Sequence, residues 1–141
     1  MASTNPFKGN WFMSLSVMRD ANNDNLGYPM GRKGQLRIVD DPGKPNGIIL
    51  TLTHPGNPRQ PATTFEGTYT PASDVAPATL SAESESPGND GYEFYLTGFL
   101  NSDFPPGARS IVGGFYCRLP GGAESMADAD ADGSWLGSEG P

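Results

Sequence analysis

Cysteine is nearly absent from this 141-residue chain: Cys117 stands alone, so no disulfide can form within it. Its setting in the run IVGGFYCRL points to a small buried hydrophobe rather than a reactive thiol. Histidine is equally scarce, and with His54 alone no imidazole cluster can hold zinc. Basic side chains are outnumbered, 9 Lys and Arg against 16 Asp and Glu, for a net charge of −7. No basic face is left to displace counterions from a phosphate backbone, which argues against nucleic acid as a partner. Long hydrophobic runs are missing too. No segment approaches the roughly 18 consecutive apolar residues of a membrane span, and the N-terminal MASTNPFKGNW has no apolar signal core. The expectation is a soluble chain, cytoplasmic by default. No window of a dozen residues carries an i, i+3, i+4, i+7 apolar stripe free of Gly and Pro, which excludes a helical bundle.

What the chain has in excess is turn chemistry. With 19 Gly and 14 Pro against 35% hydrophobic residues, many positions serve bends and few serve a core. Between the bends the side chains alternate. The longest such stretch, Phe7 to Met18, places Trp11, Met13, Leu15 and Val17 on one side and Phe12, Ser14, Ser16 and Met18 on the other. A polar segment, Arg19 to Lys33, reads as a loop, and Gln35 to Asp40 with Ile48 to His54 reads as a hairpin around DPGKPNG. Further strands are expected at Thr64 to Thr70, Thr79 to Ser84, Tyr92 to Leu100 and Ser110 to Leu119, where Gly113 and Gly114 suggest a bulge or a sharp bend. A short final strand follows from Gly133. About eight strands suffice to close an antiparallel up-and-down barrel around side chains or one small ligand, the alternative being a β-sandwich. At this length a single all-β domain over residues 1–141 is expected, with residues 1–8 as an arm and 120–141 as an acidic Gly/Asp-rich segment.

Gly9-Asn10-Trp11 at the start of the first strand resembles the G-x-W that opens the calycins: lipocalins, fatty-acid-binding proteins and avidins. Glu66-Gly67-Thr68-Tyr69 and Gly113-Gly114-Phe115-Tyr116 are similar to the G-x-Y strand patterns of avidins, and Gly121-Gly122-Ala123-Glu124 followed by Trp135 is similar to their later hairpin. The resemblance implies a barrel whose Trp11 closes one end beneath a basic side chain from a late strand, a role it assigns to Arg118. It also implies that Tyr69 faces ligand. The chain departs from avidins in carrying Met13 and Val17 near positions where polar ligand contacts belong. It has only two tryptophans, Trp11 and Trp135, too few for a biotin cage.

Asp128, Asp130, Asp132, Gly133 and Glu139 satisfy D-x-D-x-D-G-x5-E, the pattern of a calcium loop. Alternating carboxylates can converge on one hard cation, and a late Glu can close the shell. The competing reading is a solvated Ala/Asp tail, because Pro120, Gly121 and Gly122 leave no room for a preceding helix. Asp20, Asn22 and Asp24 repeat the spacing without the turn glycine or the closing Glu, as an ordinary Asx-rich loop does.

No nucleophile elbow, P-loop or dinucleotide fingerprint is present, and no two carboxylates are set at a working distance by the sequence. The expectation is therefore a binder more than an enzyme: a calycin-like barrel holding a small apolar or amphipathic ligand against Trp11, Tyr69, Phe94, Tyr95 and Phe115. A barrel enzyme that shapes its substrate would leave no motif. The rival expectation is a coat, spike or decoration-type subunit that assembles into a homo-oligomer through sheet faces and loops, with calcium as the one cofactor suggested.

Overall fold

Period-two alternation governs most of the described strands. In the computed structural model, which describes residues 4–20, 30–55, 62–84, 93–101, 109–118 and 131–140, eight strands form with no helix among the described residues. They are β1 (Gly9–Asp20), β2 (Met30–Asp41), β3 (Gly47–Thr53), β4 (Thr63–Thr70), β5 (Thr79–Ser84), β6 (Glu93–Asn101), β7 (Ser110–Arg118) and β8 (Ala131–Glu139). Each pairs antiparallel with its neighbours in sequence, and β8 pairs back onto β1, so the sheet is a closed up-and-down barrel and not a sandwich. Closure leaves every strand with two partners and no exposed edge.

Odd-numbered residues of β1 and β7 and even-numbered residues of β2, β3 and β6 point inward, as their burial shows. Trp11, Leu36, Ile38, Ile48, Leu50, Phe65, Leu96, Ile111, Phe115 and Trp135 are all at most 2% exposed and form one contiguous core. Each such side chain contributes on the order of 1.5–3 kcal/mol through burial. The interior of an eight-stranded barrel is just wide enough to be filled this way.

Three sequence expectations change. The loop expected over Arg19 to Lys33 is shorter, because β1 continues to Asp20 and β2 begins at Met30, with Val17 opposite Met30. Gly113 and Gly114 make no bulge: both stay in register with Gly98 and Thr97 on one side and with Trp135 and Ser134 on the other. Among the described residues the β1·β8 ladder slips between Val17 and Arg19. Finally, the strand expected from Gly133 is nine residues long and completes the ring. A hydrogen-bonding partner on each side makes a strand of a segment whose own composition favours a tail.

Turn chemistry holds where it was expected. Asn46 adopts φ 54° just before Gly47, closing the β2–β3 hairpin, and its carbonyl accepts from the Tyr69 amide at 3.0 Å. Asparagine is among the few residues that occupy this left-handed region at low cost.

Candidate functional site

The two ends of the barrel differ in construction. At the end where β1 begins, residues preceding the barrel fold underneath it. Phe7 is fully buried, Asn5 is nearly so, and the Asn5 side chain accepts from the Phe7 amide and donates to Asp40 at 2.9 and 3.0 Å. The Trp11 indole donates to the Phe7 carbonyl at 2.8 Å. Arg109, just before β7, lies over the Trp11 ring with its guanidinium carbon 5.2 Å from the ring centroid. The same guanidinium donates to the Pro6 carbonyl and pairs with Glu139. That hydrogen bond is the main reason the Glu139 carboxyl sits below its ordinary value, with the charge of Arg109 adding to it. These groups make a closed floor.

Arg109, and not Arg118, is the basic residue over Trp11. The two arginines bracket β7, and only the direction of the strand decides which one reaches the floor. Arg118 lies at the opposite end of the strand, its backbone opposite Glu93.

At the other end, β1, β3, β5 and β7 finish and their connections depart. Here the inward-facing side chains become only partly buried: Leu15, Leu52 and Phe94 pack against the core from above. The Phe94 amide donates to the Ser84 hydroxyl at 3.1 Å, tying β5 to β6 at this rim. An apolar mouth above a filled interior and a sealed floor is the arrangement these residues create.

The five aromatic residues expected to line a ligand site are therefore not together. Trp11 belongs to the floor, and Tyr69, buried near the end of β4, lies in its lower half. Phe94 and Phe115 face inward on adjacent strands toward the mouth, with Phe115 opposite Leu96. Tyr95 faces the other way. Strand alternation puts it on the outer wall, where its ring stacks on Tyr116 with centroids 4.5 Å apart. Leu15 and Leu52 were not singled out from the sequence; inward parity together with position near a strand end was the available signal.

The calcium loop does not assemble as its pattern suggests. Asp128 and Asp130 lie outside the described residues, while Asp132 and Glu139 occupy opposite ends of one extended strand. Seven residues of strand span about 23 Å, so these two cannot ligate one ion. Glu139 is engaged with Arg109 instead. Of the second acidic run, Asn22 and Asp24 also lie outside the described residues.

A separate depression of about 460 Å³ lies on the outer wall over β1–β3, bordered by Asn10, Phe12, Gln35, Arg37, Thr51 and Thr53. It is distinct from the mouth, and its lining is about equally polar and apolar, with Trp11 and Leu36 also bordering it. Among the described residues no group of three or more His, Cys, Asp or Glu side chains is placed to hold a metal ion. No protein-family model, curated protein or solved structure matches the chain.

Proposed function

We propose that this barrel binds a small apolar or amphipathic molecule at its mouth, without chemical transformation. One observation carries the reading: the interior is sealed by the Phe7, Trp11 and Arg109 floor at one end, whereas at the other it ends in partly buried Leu15, Leu52 and Phe94. Apolar side chains left partly exposed at a barrel end gain free energy when a ligand covers them. Phe94 offers a ring face, and the rim around it carries the Ser84 hydroxyl, already engaged with the Phe94 amide.

Titration with 1-anilinonaphthalene-8-sulfonate, an amphipathic fluorophore, tests this at the mouth. Saturable emission with one site per chain is expected, together with a rise in melting temperature as the probe is added. Phe94→Ala should weaken binding by roughly tenfold, the scale of losing one aromatic contact wall. Non-saturating emission, or binding indifferent to Phe94→Ala in a variant that still melts cooperatively, would remove the mouth as the site.

A further inference from the structure

The outer wall over β1, β2 and β3 carries two register rows of side chains. Phe12 stands opposite Gln35 and Gln35 opposite Thr53; two residues along, Asn10 stands opposite Arg37 and Arg37 opposite Thr51. All of them point outward, because their neighbours Trp11, Leu36, Ile38 and Leu50 are buried in the core. Together they border the depression of about 460 Å³, a size ordinary for a small-molecule site.

The Phe12 ring forms one wall. It rests against Gly140, where a Cβ would stand 3.3 Å from the nearest ring carbon, and the Gly140 amide is anchored to the Asn10 carbonyl at 2.8 Å. Phe12 nevertheless stays 49% exposed. Thr51 and Thr53 make the facing wall, two strand spacings or about 10 Å away.

In a chain of net charge −7, the charge on this face is positive. Outward positions from Asn10 to Ser14 on β1, Lys33 to Val39 on β2 and Ile49 to Thr53 on β3 include Lys33 and Arg37 and no carboxylate. Lys8, Lys44 and Arg109 are paired with Asp40, Glu66 and Glu139, whereas Arg37 has no ion pair among the described residues. Among the same residues, no hydrogen bond occupies the side chains of Gln35, Thr51 or Thr53.

We propose that this depression binds an acidic sugar, a pyranose bearing a carboxylate, with the carboxylate on Arg37 and one C–H face of the ring on Phe12. A guanidinium without a protein carboxylate is suited to take a ligand carboxylate through two parallel hydrogen bonds. Around it, Gln35, Thr51 and Thr53 offer amide and hydroxyl groups that both donate and accept, as a set of sugar hydroxyls requires. The electronegative face of an aromatic ring attracts C–H hydrogens. A lining about equally polar and apolar therefore matches a molecule with hydroxyls at its rim and C–H groups on its faces. A simple anion uses Arg37 and leaves Phe12 idle. An extended acidic peptide docks on a sheet by pairing with an edge strand, and the closed ring offers none here. The site is independent of the mouth, since its side chains lie on the other face of the sheet.

Titration of the isotope-labelled full chain with sodium glucuronate, glucose and sodium acetate at constant ionic strength, followed by amide chemical shifts, tests the proposal. Glucuronate should shift residues 10–12, 35–37 and 51–53 saturably, with a dissociation constant on the order of 1 mM, the scale of one charge-assisted pair and one aromatic contact. Glucose, which lacks the charge, and acetate, which lacks the ring, should each bind at least about tenfold more weakly. Arg37→Gln should bring glucuronate down to the level of glucose, and Phe12→Ala should weaken both sugars alike, by roughly three- to tenfold. Phe94→Ala at the mouth should change neither. The three-ligand comparison needs no variant, so it stands even if a substitution disturbs the fold. Acetate or glucose binding as tightly as glucuronate, shifts centred on the mouth, no saturation below about 50 mM, or glucuronate binding indifferent to Arg37→Gln would overturn the inference.

Discussion

Arg109 ties the floor together: its guanidinium meets the Trp11 ring, the Pro6 carbonyl and the Glu139 carboxylate, and its backbone carbonyl accepts from the Glu139 amide. The pair with Glu139 has a definite pH signature. Because the arginine lowers the Glu139 carboxyl in the folded state, the unfolded chain binds that proton more readily, and stability falls as pH drops. The contribution is full above the ordinary value of about 4.5 and disappears as pH falls through the lowered one. Glu139→Gln should therefore lower the melting temperature slightly at neutral pH, and the gap from the parent should close on acidification. A gap independent of pH would mean that the carboxylate acts by packing alone; both residues are partly exposed, so the effect is expected to be small and reduced by salt. At this scale the sequence was legible where a residue's role is local. Gly9-Asn10-Trp11 pointed to the floor, but the partner of the tryptophan depends on which end of β7 lies below, and no local pattern encodes that. Parity likewise separates Phe94 from Tyr95 only once one of them is known to face inward.

Among the elements, β7 and β8 are joined by contacts that require glycine. Gly113 faces Gly98 on β6 and Trp135 on β8, and the Trp135 indole donates to the Thr97 carbonyl at 2.9 Å across both strands. A Cβ at Gly113 would stand 2.7 Å from the indole nitrogen and far closer to the Thr97 carbonyl oxygen, which is backbone and cannot move aside. Gly113→Ala is therefore expected to destabilise by about 1–3 kcal/mol, measurable as a lower urea midpoint with an unchanged slope. A neutral result would show that β6 and β7 can separate at no cost. The sequence suggested a bulge or a sharp bend here because paired glycines in a strand often mark one; what Gly113 marks, with Gly98 and Gly137, is the Trp135 ring set against the inner wall. Strands with strong alternation, such as β3 and β5, were legible almost to the residue. The first residues of β2 and the ends of β8 beyond the expected GSWLG were not, since MGRKG, and the Ala131-Asp132 and Ser138-Glu139 that extend β8, carry no apolar alternation and take their conformation from neighbours on either side.

For the molecule as a whole, closure depends on the last strand meeting the first. The ladder from Trp11 with Glu139 to Asp20 with Ala131 joins residues more than a hundred positions apart, and the Gly140 amide extends it by donating to the Asn10 carbonyl at 2.8 Å. Removing residues 131–141 would bare one edge each of β1 and β7 and take Trp135 from the core. Such a chain should lose its cooperative thermal transition and its near-ultraviolet circular dichroism; a retained sharp melt would show that seven strands close without the eighth. Strand number and alternation made a barrel readable in advance, and the absence of helical periodicity excluded most rivals. The choice between a ring and two facing sheets depends on pairing across the full length of the chain, which no window of sequence contains.

That long pairing has a price during synthesis. The ribosome delivers β8 last, so a nascent chain with seven strands already emerged exposes two hydrogen-bonding margins, on β1 and on β7, beside an unfilled interior. Until β8 emerges, another nascent chain can add a strand where it belongs, and polysomes translating this message would be where misassembly begins.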